Sequence, residues 1–108
     1  MQTFTAQTSI AAGRSVVWCA LLALVRDTWD VTDDDVVASD APARLVHGIV
    51  LDGETSCWLT WELAPDGAAT TVGLVHDELV EGPAPDLDGV LEMLRATVPA
   101  HLPGVREG

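Results

Sequence analysis

The dipeptide Asp52-Gly53 sits between two apolar runs, Arg44 to Leu51 and Thr55 to Leu63, and constrains the fold more than any other feature of the chain. Asp-Gly flanked in this way favours a two-residue hairpin loop. Both central residues take positive φ, which Gly adopts freely and Asp tolerates. The chain is therefore expected to contain an antiparallel sheet. With Leu51 opposite Glu54, counting outward places Leu45, His47, Ile49, Ser56, Trp58 and Thr60 on one face. The other face carries Val46, Gly48, Val50, Cys57, Leu59, Trp61 and Leu63. This second set is nearly all apolar and is expected to face the core, leaving Trp58 opposite His47 on a mixed face.

The remaining elements follow from periodicity and punctuation. Gln2 to Ile10 alternates, with Phe4, Ala6, Thr8 and Ile10 on one side, the pattern of a half-buried strand. Gly13 interrupts it. From Ser15 onward Trp18, Leu21, Leu22 and Val25 recur at helical spacing. Asp27 to Asp35 holds five aspartates in nine residues, whose repulsion and weak helix propensity predict a loop or frayed turn. Val36 to Ser39 reads as a short strand, Asp40-Ala41-Pro42 and Pro65-Asp66-Gly67 as turns, and Thr70 to Val80 as a further antiparallel strand. Leu87, Val90, Leu91, Leu94 and Val98 then share one helical face. Asp86 favours the start of that helix, Pro99 stops it, and Gly89 weakens it by roughly 1 kcal/mol relative to Ala. Residues from about 100 to 108 are expected to form a loose tail.

Strand, helix, several antiparallel strands and a last amphipathic helix make an α+β layout with helices on one side of a sheet. The 108 residues suffice for a single domain spanning 1–108, and 48% hydrophobic content is enough for one core. A formal charge of -12 repels phosphate backbones and anionic headgroups, which excludes nucleic acid and acidic membranes as expected partners. The apolar run Val16 to Val25 is about half of the ~20 residues a spanning helix needs. It lacks the basic flank and small-residue cleavage site of a secretory signal. Cys19 and Cys57 lie far apart in apolar stretches, as reduced core thiols do. The expected location is cytoplasmic.

Several segments then resemble a known family in their order and spacing. Ile10-Ala11-Ala12 leading into Val17-Trp18-Cys19-Ala20-Leu21 resembles the opening of the START-like (SRPBCC) superfamily. The branch is the one similar to heat-shock-protein ATPase activator homologues and polyketide cyclase/dehydrase-like proteins. Pro42-Ala43-Arg44-Leu45-Val46-His47, Thr60-Trp61-Glu62-Leu63-Ala64-Pro65 and Thr71-Val72-Gly73-Leu74-Val75-His76 resemble its later strands. The resemblance implies a helix-grip fold, in which a curved antiparallel sheet packs on a carboxy-terminal helix and encloses an apolar cavity. Members bind hydrophobic small molecules, and some act as enzymes or chaperone partners. This chain lacks most of the usual hairpin before Val36, and its final helix spans only about three turns. Its cavity is expected to be smaller, more open, or closed by a second subunit in a homodimer.

No reactive constellation accompanies these motifs. His47, His76 and His101 show no metal-ligand spacing, and the aspartate-rich stretch lacks the alternation, central Gly and closing Glu of a calcium loop. Ser15 and Ser56 lack a nucleophile-elbow context, and no Gly-rich loop cradles a phosphate. No catalytic residue, metal or cofactor is assigned. Four tryptophans without a tyrosine are suited to lining a pocket, because indole joins a large apolar surface to one donor. Core packing is the competing reading for Trp18 and Trp61. The expected ligand-binding residues are Trp18, Trp58, Trp61, His76, Leu91 and Leu94. The expected function is non-catalytic binding of a small hydrophobic molecule between sheet and carboxy-terminal helix. Two alternatives stand beside it: a cyclase or hydrolase-like enzyme using His76 or Glu62, and a protein-interaction module docking through the Trp58 face.

Overall fold

The computed structural model describes residues 2–51, 53–80 and 82–101. Its elements are β1 (Thr3–Ile10), α1 (Arg14–Trp29), a 3-10 turn (Asp33–Asp35), β2 (Val36–Asp40), β3 (Arg44–Leu51), β4 (Glu54–Asp66), β5 (Ala69–Glu78), α2 (Leu87–Thr97) and a closing 3-10 turn (Val98–His101). The five strands form one antiparallel sheet in the order β1-β5-β4-β3-β2. Strands β2 to β5 are a meander, while β1 joins its far edge. The chain must therefore cross the whole sheet between β1 and β2, and α1 makes that crossing. Its 16 residues extend about 24 Å, enough for four inter-strand gaps of about 4.8 Å.

The hairpin forms as expected, with Leu51 opposite Glu54 and Gly53 at φ 81°, while Asp52 lies outside the described residues. Its faces differ from simple counting. Val50 pairs with Thr55 but Ile49 pairs with Cys57, so Ser56 is an extra residue on β4 and the register shifts there. Such a bulge turns every preceding residue of β3 to the other face. Leu45 and His47 consequently join Cys57, Leu59, Trp61 and Leu63 in the interior, while Val46 and Val50 turn outward. Ser56 is held in place on both sides. Its hydroxyl donates to the Ile49 carbonyl at 3.1 Å, and its own carbonyl accepts from the Leu79 and Val80 amides at 3.1 and 3.2 Å.

Trp58 thus lies opposite Gly48 and not His47. A Cβ on Gly48 would stand 3.0 Å from the Trp58 ring and 3.0 Å from Thr55 Cγ2, so the indole packs closely over a glycine and would have to shift by a few tenths of an ångström for any larger residue.

Helix α1 runs further than the aspartates predicted, through Asp27 to Trp29. It ends at Asp30 in the left-handed region (φ 53°), with the Asp30 amide bonded to the Arg26 carbonyl and the Val31 amide to that of Val25. Tertiary packing overrides propensity here. Leu24, Val25 and Val31 are buried, and the Trp29 ring lies 6.0 Å from that of His47. Beyond the helix, Asp35 serves local capping, forming a capping box with Thr32 around the 3-10 turn.

Helix α2 begins as expected at Asp86, whose carboxylate accepts from the Gly89 amide at 3.0 Å. Leu87, Leu91, Leu94 and Val98 pack with Val17, Leu21 and Leu24 of α1 over the sheet residues Trp61, Leu63, Val72 and Leu74. One sheet face thus carries the core. Among the described residues no helix is long and apolar enough to cross a membrane. Of the expected tail, Ala100 and His101 belong instead to the closing 3-10 turn, and residues 102–108 lie outside the described residues.

Candidate functional site

The two helices do not cover the sheet equally. Helix α2 packs against β1, β5 and α1, helix α1 packs over β4 and β5, and the 3-10 turn after α1 meets β3, so the half of the sheet ending in the five-residue edge strand β2 is the less covered one. A cleft of about 340 Å³ remains there. Its apolar wall comes from the helical stripe of α1 (Trp18, Leu22, Val25), from Val31 and Val36 on the connecting segment, and from Leu45 of β3. Arg26, Thr32, Asp33 and Ser39 supply the polar rim. Arg26 occupies the last turn of α1, where a cation offsets the helix dipole, and makes no ion pair among the described residues.

Behind this cleft stands a closed polar pair. His47 is fully buried. Its Nε2 accepts from Trp61 Nε1–H at 3.0 Å, and its Nδ1–H donates to the Gly48 carbonyl at 3.2 Å. Indole can only donate, which assigns the tautomer and makes the ring neutral. Burial pushes the His47 pKa below its ordinary value, against smaller opposing pulls from the Gly48 carbonyl and the Asp35 charge. Both ring nitrogens are occupied, so His47 is a structural acceptor for Trp61 and not a free base.

The expected ligand residues separate into three places. Trp18, 8% exposed, borders the cleft. Trp61, Leu91 and Leu94, at 0 to 2% exposure, fill the space between the sheet and α2. Trp61 is the cross-strand neighbour of Leu45 and so stands one strand behind the cleft. His76 lies on the inner face opposite Leu59 and Phe4, edge-on to the Phe4 ring at 5.8 Å, with its Nδ1 buried and unpartnered. Trp58 is on the outer face, so no single site can hold all six residues. Leu22, Val25, Val31, Val36 and Leu45 of the cleft were not singled out from sequence. The only local signal was the Leu22–Val25 stripe of α1, since the bulge hides the inward direction of Leu45.

Other chemistry is dispersed. His76 shares its face with Glu78, as alternation predicts, whereas Asp77 points outward and accepts from the Thr3 hydroxyl at 2.8 Å. Glu62 is exposed on the outer face in an ion pair with Arg44 at 3.5 Å, across the sheet from His76. Both cysteines are free thiols. Cys57 is in the core, where burial pushes its thiol pKa up, but Cys19 is exposed, on the side of α1 turned away from the stripe. The expectation that both are core residues therefore holds for Cys57 alone. Among the described residues no three His, Cys, Asp or Glu side chains are grouped to hold a metal.

No protein-family model matches the sequence, and no curated protein matches it. Solved structures do. CalU16 from Micromonospora echinospora superposes with a TM-score of 0.65 over 89% of this chain and 75% of that chain, at 14% identity. CalC from the same organism, a self-sacrificing resistance protein, gives 0.63 over 94% of this chain and 97% of its own, at 14% identity. The Aha1 dimer from Colwellia psychrerythraea gives 0.57 over 91% and 90%, at 13% identity. At such identities the likeness is one of fold. A five-stranded antiparallel sheet packed on a carboxy-terminal helix, aligned over most of its length with these structures, gives this chain the helix-grip fold of the START-like (SRPBCC) superfamily.

Proposed function

We propose that this chain binds a small hydrophobic molecule without transforming it, in the cleft bordered by Trp18 between α1 and the β2–β3 edge. The observation that carries the reading is the cleft itself. Its mostly apolar lining and volume of about 340 Å³ suit a small ligand, since such sites are mostly apolar and occupy roughly 300–1,000 Å³. The START-like fold supports ligand binding, although the space beneath α2 is taken by the chain's own Trp61, Leu91 and Leu94. The ligand therefore enters from the β2 side. Trp18 lies against it, Leu45 forms the floor, and Trp61 backs that floor from the next strand. Arg26 and Ser39 orient whatever polar end the molecule has.

The test uses the anionic dye 1-anilinonaphthalene-8-sulfonate as a probe. Ser39 is exposed at the rim, so Ser39→Trp plugs the cleft without touching the core. Dye fluorescence is expected to rise saturably with the parent protein and to fall about tenfold in the variant, at unchanged melting temperature. Equal dye binding by both proteins would sink the assignment to this cleft. Native mass spectrometry of the purified chain supplies the companion measurement, a co-purifying apolar molecule that Ser39→Trp fails to retain.

A further inference from the structure

The two edges of the sheet are built differently. Edge strand β2 is protected in ordinary ways: it is five residues long, its register is irregular between Val36 and Ala38, and it ends in Asp40. Edge strand β1 has none of these devices. Its eight residues, Thr3 to Ile10, contain no charge and no proline, and they pair with β5 without interruption from Thr3–Asp77 to Ile10–Thr70. In a chain of net charge -12 such a neutral, regular edge is conspicuous.

The direction of the hydrogen-bonding groups that no strand among the described residues pairs can be assigned. The Gln2 carbonyl accepts from the Glu78 amide of β5, and the Ser9 carbonyl accepts from Arg95 of α2 at 2.9 Å. Backbone groups alternate along a strand, so the even-numbered residues face β5 and the odd-numbered ones face away. Arg95 occupies the Ser9 position. Thr3, Thr5 and Gln7, all exposed, keep their amides and carbonyls toward the open side.

Beside this edge runs a groove of about 220 Å³ between β1 and the start of α2. Phe4 and Ala6 line it from the strand, Pro85 and Leu87 from the other side, with Asp86 and Asp88 among them. Asp86 is engaged in capping the helix, while Asp88 is exposed and makes no ion pair among the described residues. An aliphatic stem ending in a cation matches this wall, the stem against Phe4 and Leu87 and the head at Asp88. A second copy of this chain would bring another twelve negative charges to the same place, whereas a cationic segment is attracted.

We propose that β1 is a docking edge to which an extended, basic segment of a partner polypeptide adds as a further strand. Its main chain pairs with Thr3, Thr5 and Gln7, and one lysine or arginine enters the Phe4–Leu87 groove. Main-chain pairing supplies affinity in such strand addition, and the groove supplies the choice of side chain. The edge lies across the sheet from the Trp18 cleft, so both can be occupied together.

The experiment titrates the full chain with a labelled peptide alternating lysine and valine, followed by fluorescence anisotropy, with a glutamate-for-lysine peptide as control. Saturable binding of the lysine peptide, weakened by added salt, is expected together with about tenfold weaker binding to Thr5→Pro and to Asp88→Lys. The Thr5 amide faces the open side, so proline there leaves the β5 ladder intact. Hydrogen exchange on the unmodified protein decides the matter even if Thr5→Pro misfolds: the Thr3, Thr5 and Gln7 amides should gain protection with peptide. Unchanged exchange at those amides, or equal affinity for the glutamate peptide, overturns the proposal. A salt-stable dimer of the parent chain that Thr5→Pro dissociates also overturns it, because the edge would then belong to a second copy.

Discussion

His47 and Trp61 form the residue-scale lock of this molecule. Each is fully buried, and each satisfies the other's polar atom, so the indole can sit at the centre of the core without an orphaned donor. The histidine pays for this position in basicity. Its pKa is depressed by burial from an ordinary value of 6.5, so below that value the unfolded chain takes up a proton that the folded chain resists. Stability associated with His47 is therefore held above pH 6.5 and lost as the pH falls through the folded pKa. Urea titrations across that window should show the unfolding free energy dropping by up to about 1.4 kcal/mol per pH unit from this group. His47→Gln, neutral throughout and still able to accept from Trp61, should flatten that slope. An equally steep slope in His47→Gln would assign the pH dependence to the carboxylates.

Ser56 has the same importance for the sheet as an element. The extra residue reconciles two strands whose apolar residues fall on conflicting positions if the hairpin is counted without a bulge, namely Leu45 with His47 and Cys57 with Leu59 and Trp61. Deleting Ser56 restores the uninterrupted ladder and forces one of those sets into solvent. Loss of even three such side chains from the core removes several kcal/mol, a large share of what a domain of this size possesses. The deletion variant is accordingly expected to show no cooperative thermal transition by circular dichroism, whereas Ser56→Ala, which keeps the bulge and loses only the bond to the Ile49 carbonyl, should unfold cooperatively within about 1 kcal/mol of the parent. A cooperative transition in the deletion variant would mean that the bulge can migrate elsewhere on β4.

At the scale of the whole molecule, charge and coverage set the behaviour. Two ion pairs, Arg44–Glu62 and Arg95–Glu92, are formed among the described residues, against a net charge of -12 for the chain. Self-repulsion therefore opposes compaction, and raising salt from low ionic strength near neutral pH should increase the melting temperature by on the order of a few degrees. A melting temperature that falls with salt would show that the few surface ion pairs outweigh the repulsion. Coverage explains where the open space lies. A long carboxy-terminal helix could roof the sheet from edge to edge, but α2 has 11 residues and reaches only the β1 side and α1. The cleft at β2 is the consequence.

Much of this was legible in the chain itself. Alternation in Thr3–Ile10, the stripe of α1, the Asp-Gly hairpin, the Asp86 cap and the inward set Cys57, Leu59, Trp61 and Leu63 all rest on local periodicity or turn chemistry, which the residues carry wherever they are placed. The antiparallel layout followed from their order, and the START-like fold was what the resemblance of four segments to that superfamily implied. Three things were decided only in three dimensions. The bulge at Ser56 depends on the segment just after β5, where the Leu79 and Val80 amides bond its carbonyl, and so it reversed the predicted faces of β3. The extension of α1 past Asp27 depends on Trp29 meeting His47, a contact between residues far apart in sequence. The separation of the six expected ligand residues, and the opening of the cleft beside Trp18 alone among them, depends on how much sheet two helices of fixed length can cover. Local pattern specifies what each element buries; only packing among elements specifies what is left uncovered.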